Sequence, residues 1–272
     1  MPKEAVVARA ALHFWEEPCI SGQNGSGAVF FSGCNLHCVF CQNHSIALGD
    51  CGKVITIQRL AEIFLKLQEK GAANINLVTP THYIPQIRDA LLLAKENGLK
   101  LPIVYNTGGY EKTESLRLLE GLVDIYLPDL KYFSAELSSA YSHAPDYFQV
   151  ATTAIAEMYR QVGPSIFDED TGMMKRGMIV RHLVLPGQTK DSKKVLRYLY
   201  ETFGEHIYIS IMNQYTPLPH VANIPSLNRC VTTEEYDKIV NFALRLGITN
   251  AFIQEGETAE ESFIPPFDME GV

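Results

Sequence analysis

The sequence predicts an α/β fold on a parallel sheet, and two observations support that prediction. Short apolar runs alternate with amphipathic segments of helical period along most of the chain. Such alternation produces parallel strands joined by right-handed crossovers, in a sheet that is either doubly wound or curled into a barrel. The chain has 272 residues, 46% of them hydrophobic, which is enough for a large core. We therefore expect about six βα units followed by a final strand.

Seven short apolar runs are the predicted strands. They are rich in β-branched and aromatic residues, and Gly, Pro or Asn stands near their ends. The predicted strands are 28–31, 75–78, 103–105, 123–127, 178–185, 207–212 and 251–253. Each of them except the last precedes a helical segment, as a parallel sheet requires.

The helical segments are recognised by apolar residues spaced three and four apart. In the first segment, Leu60, Ile63, Phe64 and Leu67 form one apolar face. Glycines stop three of these helices, and a Thr-x-x-Glu capping pattern at Thr232 opens the last one. The predicted helices are 57–70, 84–97, 112–120, 135–162 with a break near Pro145, 192–203 and 232–246.

Several stretches lack a periodic pattern and are predicted to be irregular. The chain up to Ser26 is one of them, and residues 34–55 form a loop long enough to indicate a function. Residues 167–175 are polar and predict an exposed loop, while residues 216–228 form a loop rich in Pro and Asn. The tail after residue 255 contains prolines and is predicted to lie at the periphery.

The charge balance bears on the class of partner. The formal net charge is −8, from 23 Lys and Arg against 31 Asp and Glu. Nucleic acid and anionic membrane surfaces attract clustered basic residues, and no basic run is present, so neither is an expected partner. No apolar window approaches the roughly 18 residues of a membrane span, and residues 1–9 lack the apolar core of a signal peptide. We expect a cytoplasmic protein that acts on a small molecule or on another protein.

Three of the six cysteines stand in the pattern Cys-x₃-Cys-x₂-Cys, at Cys34, Cys38 and Cys41. They follow the first predicted strand on a loop that can bring three thiolates to one metal centre. Soft sulfur ligands favour iron–sulfur clusters or zinc. A structural zinc site needs a fourth protein ligand, whereas a cluster held by three cysteines leaves one iron open. The pattern indicates a metal centre with an open position, in a reducing compartment.

Polar residues also follow the other predicted strands. Ligands of parallel sheets bind beyond the carboxyl ends of the strands, so these residues are expected to surround the metal centre. An Asp/Lys pair and an arginine are among them. The residues of this predicted rim are Thr79, Pro80, Thr81, His82, Asn106, Thr107, Asp129, Lys131, Arg181, His182, Asn213 and Gln214.

Together these residues resemble a known family. The cysteine motif, with Phe40 before its last cysteine, is similar to that of radical S-adenosylmethionine enzymes. Further segments resemble the branch related to pyruvate formate-lyase activating enzyme, and this similarity covers almost the whole chain. These segments are Glu16-Glu17-Pro18, Gly33-Cys34-Asn35-Leu36, 76–83 (NLVTPTHY), 105–110 (YNTGGY), 124–132 (DIYLPDLKY), 181–187 (RHLVLPG) and 214–217 (QYTP).

The resemblance implies both a fold and a chemistry. The implied fold is a partial (β/α)6 TIM-like barrel over residues 27–255, with an N-terminal extension over 1–26 packed on it and a C-terminal tail over 256–272. In this family three cysteines hold a [4Fe–4S] cluster, and S-adenosylmethionine binds the fourth iron through its amino and carboxylate groups. One electron from the cluster cleaves the sulfonium to methionine and a 5′-deoxyadenosyl radical, which abstracts a hydrogen atom. The cofactors supply the reactivity, and the protein orients them and excludes water.

The same resemblance assigns residues to the cofactor site. The three cysteines match the cluster ligands, and Phe40 is expected near the adenine. Asp129 and Lys131 match an Asp-x-Lys pair that lies near the methionyl group. Arg181 matches an arginine suited to a carboxylate. No catalytic residue is assigned.

At three places the chain departs from the pattern of the family. Thr79-Pro80-Thr81 stands where many relatives have a Gly-Gly-Glu turn that receives the methionine amino group. Asn106 stands where activating enzymes tend to have Asp, so a cation site found in some of them is expected to be absent. Gln214 stands where a histidine is expected near the ribose. These residues are still expected at the S-adenosylmethionine site.

The expected substrate of an activating enzyme is a backbone glycine of a glycyl radical enzyme, and the expected electron donor is a flavodoxin or a ferredoxin. One alternative keeps the cofactor chemistry but takes a small molecule or another peptide or protein as substrate. A second alternative is a non-catalytic module that binds an iron–sulfur cluster or zinc. The six βα units with a polar rim favour the enzyme.

Overall fold

A computed structural model describes residues 4–254 and 265–272 of the chain, and ten strands of these residues form one sheet. The strands are β1 (Ala5–His13), β2 (Ser26–Phe31), β3 (Lys53–Ile55), β4 (Ile75–Val78), β5 (Ile103–Thr107), β6 (Ile125–Pro128), β7 (Ile166–Phe167), β8 (Met174–Leu183), β9 (Tyr208–Met212) and β10 (Ala251–Ile253). The helices are α1 (Pro18–Ser21), α2 (His44–Ala47), α3 (Ile57–Glu69), α4 (Ile84–Glu96), α5 (Thr113–Arg117), α6 (Ala135–Ser142), α7 (Tyr147–Val162), α8 (Thr189–Phe203) and α9 (Thr233–Leu246).

The sheet has the order β10-β9-β8-β6-β5-β4-β2-β1-β3, and β7 pairs with β8. The strands from β10 to β2 in this order run parallel to one another. They are the seven predicted strands, so the prediction of six βα units with a final strand is confirmed. The register places Val78 beside Asn106 and Asn106 beside Leu127, which brings the carboxyl ends of the central strands to one rim.

The local sequence explains why these elements form. All six residues of β2 are buried, as expected for a mainly apolar strand that pairs with a neighbour on each side, β4 and β1. Helix α3 is capped by Thr56, whose side chain accepts a hydrogen bond from the N–H of Arg59. Helix α9 begins with the predicted capping box of Thr232 and Glu235. The apolar faces of the helices pack on the sheet in one main core.

The prediction of an irregular chain up to Ser26 was wrong. Residues of this stretch form β1, which pairs antiparallel with both β2 and β3. Strand β1 is apolar except for Arg9 and its last residue, His13, and Arg9 interrupts the apolar pattern in the sequence. In the structure Arg9 lies at the sheet edge and donates to the carboxylates of Asp268 and Glu270.

Residues 265–272 of the tail lie along β1. The N–H of Ala10 donates to the carbonyl of Glu270 at 2.8 Å, and the N–H of Met269 donates to the carbonyl of Ala8 at 3.0 Å. The tail thus continues the edge of the sheet beyond β3. The predicted boundary at residue 255 lies outside the described residues, and the division into three segments stays a prediction.

Smaller corrections concern element ends. The predicted helix 112–120 is reduced to α5, and the predicted break near Pro145 separates α6 from α7. The loop predicted over 167–175 is partly strand, because β7 and the start of β8 form a small antiparallel pair there. Strand β8 ends two residues earlier than predicted, at Leu183. In the described part of the chain, no helix combines the length and the apolar character needed to cross a membrane.

Candidate functional site

The cysteine motif lies on the loop between β2 and α2, at the rim of the parallel strands. Cys34, Cys38 and Cys41 line one cavity of about 230 Å³, called the cysteine cavity below. Backbone contacts fix this loop: the N–H of Cys34 donates to Ala47, and the N–H of Val39 donates to Tyr141. The three thiols therefore face a common space on a loop held at both ends.

Burial governs the protonation of two of these thiols. It raises the pKa of Cys38, and it raises the pKa of Cys41 to about 12, with the neighbouring thiols adding to the effect. The hydroxyl of Ser142 donates to the sulfur of Cys38 at 2.9 Å. Buried thiols keep their protons at neutral pH unless a bound metal replaces the proton on the sulfur.

The number of thiols bears on the kind of metal centre. A structural zinc ion takes four protein ligands. A [4Fe–4S] cluster that is held by three cysteines leaves one iron open, and each cysteine binds a different iron. The three thiols that line the cysteine cavity fit such a cluster.

A charged network lines the same cavity as the cysteines. Its centre is Arg181 on β8, which donates to Asp129 at 3.0 Å, to Glu16 at 3.1 Å and to the side-chain oxygen of Asn106. Lys131 donates to the second carboxylate oxygen of Asp129. The end of β6, the middle of the sheet and the N-terminal segment thus meet at one guanidinium.

The charges of this network are retained despite burial. Burial acts to raise the pKa of Asp129, but the charges and hydrogen bonds of Lys131 and Arg181 outweigh it and lower that pKa. Burial acts to lower the pKa of Lys131 and of Arg181, and the charge of Asp129 reverses this and raises both. All three groups are therefore ionised at neutral pH.

Sequence reasoning assigned no site role to Glu16. Its carboxylate accepts hydrogen bonds from Asn76 at 2.9 Å, from Asn106 at 3.1 Å and from Arg181. It therefore links two central strands and β8 to the segment before α1. The available signal was a pair of adjacent carboxylates, Glu16 and Glu17, directly before Pro18.

Of the other predicted site residues, three line the cysteine cavity and two do not. Phe40, Thr79 and Gln214 line the cysteine cavity together with the charged network. Pro80 and Thr81 are not among the described residues that line it. The backbone of Thr79 has φ of 56°, a left-handed conformation that turns the chain sharply after β4.

Glu111 is a buried carboxyl group that sequence reasoning missed. One of its oxygens accepts hydrogen bonds from the hydroxyls of Thr81 at 2.6 Å, Tyr105 at 3.3 Å and Thr107. Its other oxygen has no hydrogen-bond partner among the described residues. Burial raises the pKa of Glu111 to about 7, although the hydroxyls act to lower it. Glu111 thus joins the loop after β4 to the end of β5.

We expect Glu111 to make the stability of the protein fall as the pH rises. Its pKa of about 7 in the folded protein compares with an ordinary value of 4.5. Its stabilising contribution is therefore complete below pH 4.5 and is lost as the pH rises through about 7, by roughly 3 kcal/mol. Urea unfolding between about pH 5 and pH 8 should show the free energy of unfolding of the wild type falling relative to that of Glu111→Gln. Parallel pH profiles for the two proteins would contradict this assignment.

Comparison with known proteins identifies the family to which the chain belongs. A family model described as the radical SAM superfamily, where SAM is S-adenosylmethionine, matches residues 28–199, more than half of the chain. The chain belongs to the radical SAM superfamily. Radical SAM enzymes use a [4Fe–4S] cluster and S-adenosylmethionine, which are the two predicted cofactors.

One relative is similar over most of the sequence. The uncharacterized protein MJ0674 of Methanocaldococcus jannaschii is 29% identical over 251 residues, which cover 89% of this chain and 68% of that protein.

Several solved structures share the fold. SuiB of Streptococcus suis, bound to the precursor peptide SuiA, has a TM-score of 0.56 at 12% identity, covering 83% of this chain and 47% of SuiB. Methylornithine synthase (PylB) has a TM-score of 0.55 at 13% identity, covering 81% of this chain and 61% of PylB. The hydrogenase maturase HydG of Carboxydothermus hydrogenoformans has a TM-score of 0.55 at 14% identity, covering 88% of this chain and 56% of HydG. The chain spans about half to three-fifths of these proteins, and the likeness confirms a radical SAM fold with a TIM-like partial barrel.

Proposed function

We propose that this radical SAM enzyme cleaves S-adenosylmethionine reductively and abstracts a hydrogen atom from a peptide or protein, as an activase of a glycyl radical enzyme does. One observation carries the proposal: three thiols and a buried, fully ionised Asp/Lys/Arg network line the same cavity. The thiols suit an iron–sulfur cluster, and the network suits the charged methionyl end of the cofactor. When bound, the two cofactors supply the electron and the 5′-deoxyadenosyl radical.

The residues of the chain have distinct roles in this proposal. Cys34, Cys38 and Cys41 would hold the cluster. Lys131 would bind the carboxylate of S-adenosylmethionine, because an ammonium has three N–H donors and the bond to Asp129 uses one of them. Arg181 would orient Asp129, since it donates to Asp129, Glu16 and Asn106 at once.

The apolar part of the cavity would hold the adenine and exclude water. Phe40 is 6% exposed and packs edge-on against Tyr132 and Tyr215, at ring-centre distances of 6.4 and 6.1 Å. Leu36 and Met212 complete this side of the cysteine cavity. A dry wall of this kind protects a radical from side reactions with solvent.

A peptide or protein substrate is supported by a structural neighbour. SuiB shares the fold and is bound to a precursor peptide in its crystal structure. The partners that we propose are a glycyl radical enzyme and a flavodoxin or ferredoxin as the electron donor.

The proposal is tested by anaerobic reconstitution with iron and sulfide, reduction with dithionite and chromatography of the products. Formation of 5′-deoxyadenosine from S-adenosylmethionine is expected. Addition of the partner enzyme should then produce a glycyl radical signal in electron paramagnetic resonance. A reconstituted, reduced protein that forms no 5′-deoxyadenosine would refute the proposal, and 5′-deoxyadenosine without a glycyl signal from any candidate partner would refute the activase part of it.

A second candidate substrate is a small molecule. It is favoured by a further cavity of about 480 Å³ that adjoins the cysteine cavity and could enclose a metabolite. Transfer of deuterium from a labelled metabolite into 5′-deoxyadenosine would establish this alternative over the activase.

Lys131→Met is expected to weaken the binding of S-adenosylmethionine by tenfold or more. The reason is the loss of a hydrogen bond between two charged groups, which is worth about 1.5–3 kcal/mol. The dissociation constant can be measured from the change that S-adenosylmethionine causes in the electron paramagnetic resonance spectrum of the reduced cluster. Lys70→Met, at the exposed end of α3, is the control and should bind as the wild type does. Equal affinity of the Lys131 variant and this control would exclude the proposed role.

A further inference from the structure

The cavity of about 480 Å³ lies between residues 15–18 and the strands β9 and β10. Trp15, Arg181 and Gln214 line both this space and the cysteine cavity, so the two spaces are neighbours. The space that Glu17 lines is called the Glu17 cavity below. Its described lining also includes Glu17, Ser210, Met212, Phe252, Ile253 and Gln254.

Two adjacent carboxyl groups, those of Glu16 and Glu17, lie beside these cavities and differ in their hydrogen bonding. Glu16 is fully engaged, because Asn76, Asn106 and Arg181 donate to its two oxygens. Glu17 is only 8% exposed, burial raises its pKa, and its Oε2 has no hydrogen-bond partner among the described residues. A buried carboxyl oxygen without a partner is costly, and a cation that binds there would favour the ionised form of Glu17.

The Glu17 cavity lacks a cation that is free to bond Glu17. Among the described residues that line it, Arg181 is the one positive group, against the carboxylates of Glu16 and Glu17. The guanidinium of Arg181 already donates to Asp129, Glu16 and Asn106. Ser210 is a hydrogen-bond partner of the Glu17 carboxyl group and brings no charge. A ligand with a positive donor would complete this site.

We propose that the Glu17 cavity binds a primary ammonium group of the substrate, carried on a short aliphatic chain. Glu17 offers a single unpaired oxygen, which suits the point charge of an ammonium, whereas a guanidinium binds carboxylates through two parallel N–H groups. Met212, Phe252 and Ile253 provide apolar walls for the methylene groups. This inference rests on the proposed function, because it places a substrate group beside the cofactor site.

The test uses the reconstituted protein with S-adenosylmethionine and the fluorescence of Trp15, which is the only tryptophan of the chain and lines the cavity. n-Butylamine has the shape of a lysine side chain and serves as the probe, and n-butanol is its uncharged counterpart. The amine should shift the emission with saturation and bind at least about tenfold more tightly than the alcohol. Equal responses to the two probes, or no saturable response to the amine, would overturn the inference.

Glu17→Gln removes the charge and keeps the size of the side chain. It should reduce the affinity for n-butylamine by about tenfold or more and leave that for n-butanol unchanged. Glu69→Gln, on the exposed side of α3, removes the same charge elsewhere and should bind both probes like the wild type. Unchanged amine binding in Glu17→Gln would overturn the inference. If that variant does not fold, the comparison of amine with alcohol on the wild type still decides.

Two further measurements identify the source of the ammonium group. They are also independent of the test of the proposed function. If the ammonium belongs to a peptide, acetyl-Gly-Lys-Gly-amide should bind at least as tightly as n-butylamine, and the norleucine peptide should not. A free amine as substrate should leave n-butylamine the tighter ligand. Fluorescence needs no turnover, so a protein that forms 5′-deoxyadenosine yet fails to distinguish amine from alcohol refutes this inference alone.

Discussion

Replacement of Cys34, Cys38 and Cys41 together by Ala is expected to abolish both iron binding and the formation of 5′-deoxyadenosine. The three thiols line one cavity and form the donor set of the proposed cluster. Without them no electron can reach S-adenosylmethionine, so turnover should fall to the level of the reagents alone. Iron and sulfide analysis, the visible absorption of the reconstituted protein and chromatography of the products measure the two effects.

The matched control for this variant is Cys230→Ala. Cys230 is an exposed free cysteine outside the motif. Its replacement should leave the iron content and turnover unchanged, because Cys230 is exposed and is not among the described residues that line the cysteine cavity. Persisting turnover in the triple variant, or equal loss in the control, would refute the assignment of the cluster to the motif.

The second large effect is expected from Arg181→Ala, which should lower the free energy of unfolding by about 3–5 kcal/mol. Arg181 and its partners Asp129 and Glu16 are all at most 14% exposed. Removal of the guanidinium leaves two carboxylates buried next to each other without their shared cation, and burial then penalises both charges. Urea unfolding at neutral pH measures the loss.

Arg88→Ala is the control for this experiment. Arg88 pairs with Asp89 on the surface, where both side chains are about two-fifths exposed. Exposed pairs of this kind contribute about 0–1 kcal/mol because water screens them. Arg181→Lys keeps the charge but only part of the hydrogen bonding. Its loss of free energy of unfolding should therefore lie between the losses of Arg88→Ala and Arg181→Ala. An Arg181→Ala variant as stable as Arg88→Ala would show that the buried network does not support the fold.

Much of the fold could be predicted because its parallel strands carry local signals. Three of the four residues 75–78 are apolar and all four are buried in β4, since a parallel strand that is buried on both faces shows no regular alternation. The capping box at Thr232 likewise depends only on neighbours in the sequence. Strand β1 lacked such a signal because Arg9 interrupts its apolar run. The charge of Arg9 is balanced by Asp268 and Glu270, far along the chain.

The site residues fall into two groups, those with a local signal in the sequence and those without one. Asp129 and Lys131 follow a strand directly, so the topology alone brings them to the rim with the cysteines. Glu16 and Glu111 were given no site role, because the role of Glu16 comes from a distant partner and that of Glu111 from its burial. Glu16 meets Arg181 across 165 positions of the sequence, and the burial of Glu111 is visible only in three dimensions.

The pairing of Arg9 with Asp268 has a consequence for folding. These residues are 259 positions apart, and the contact closes one of the longest loops in the chain. Contacts of such high sequence separation form slowly, because loop-closure entropy must be overcome before they stabilise anything. On a ribosome, β1 emerges before its tail partners, because Asp268 is made 259 positions after Arg9. The β1 edge of the sheet is therefore completed late, after the parallel strands that carry the site.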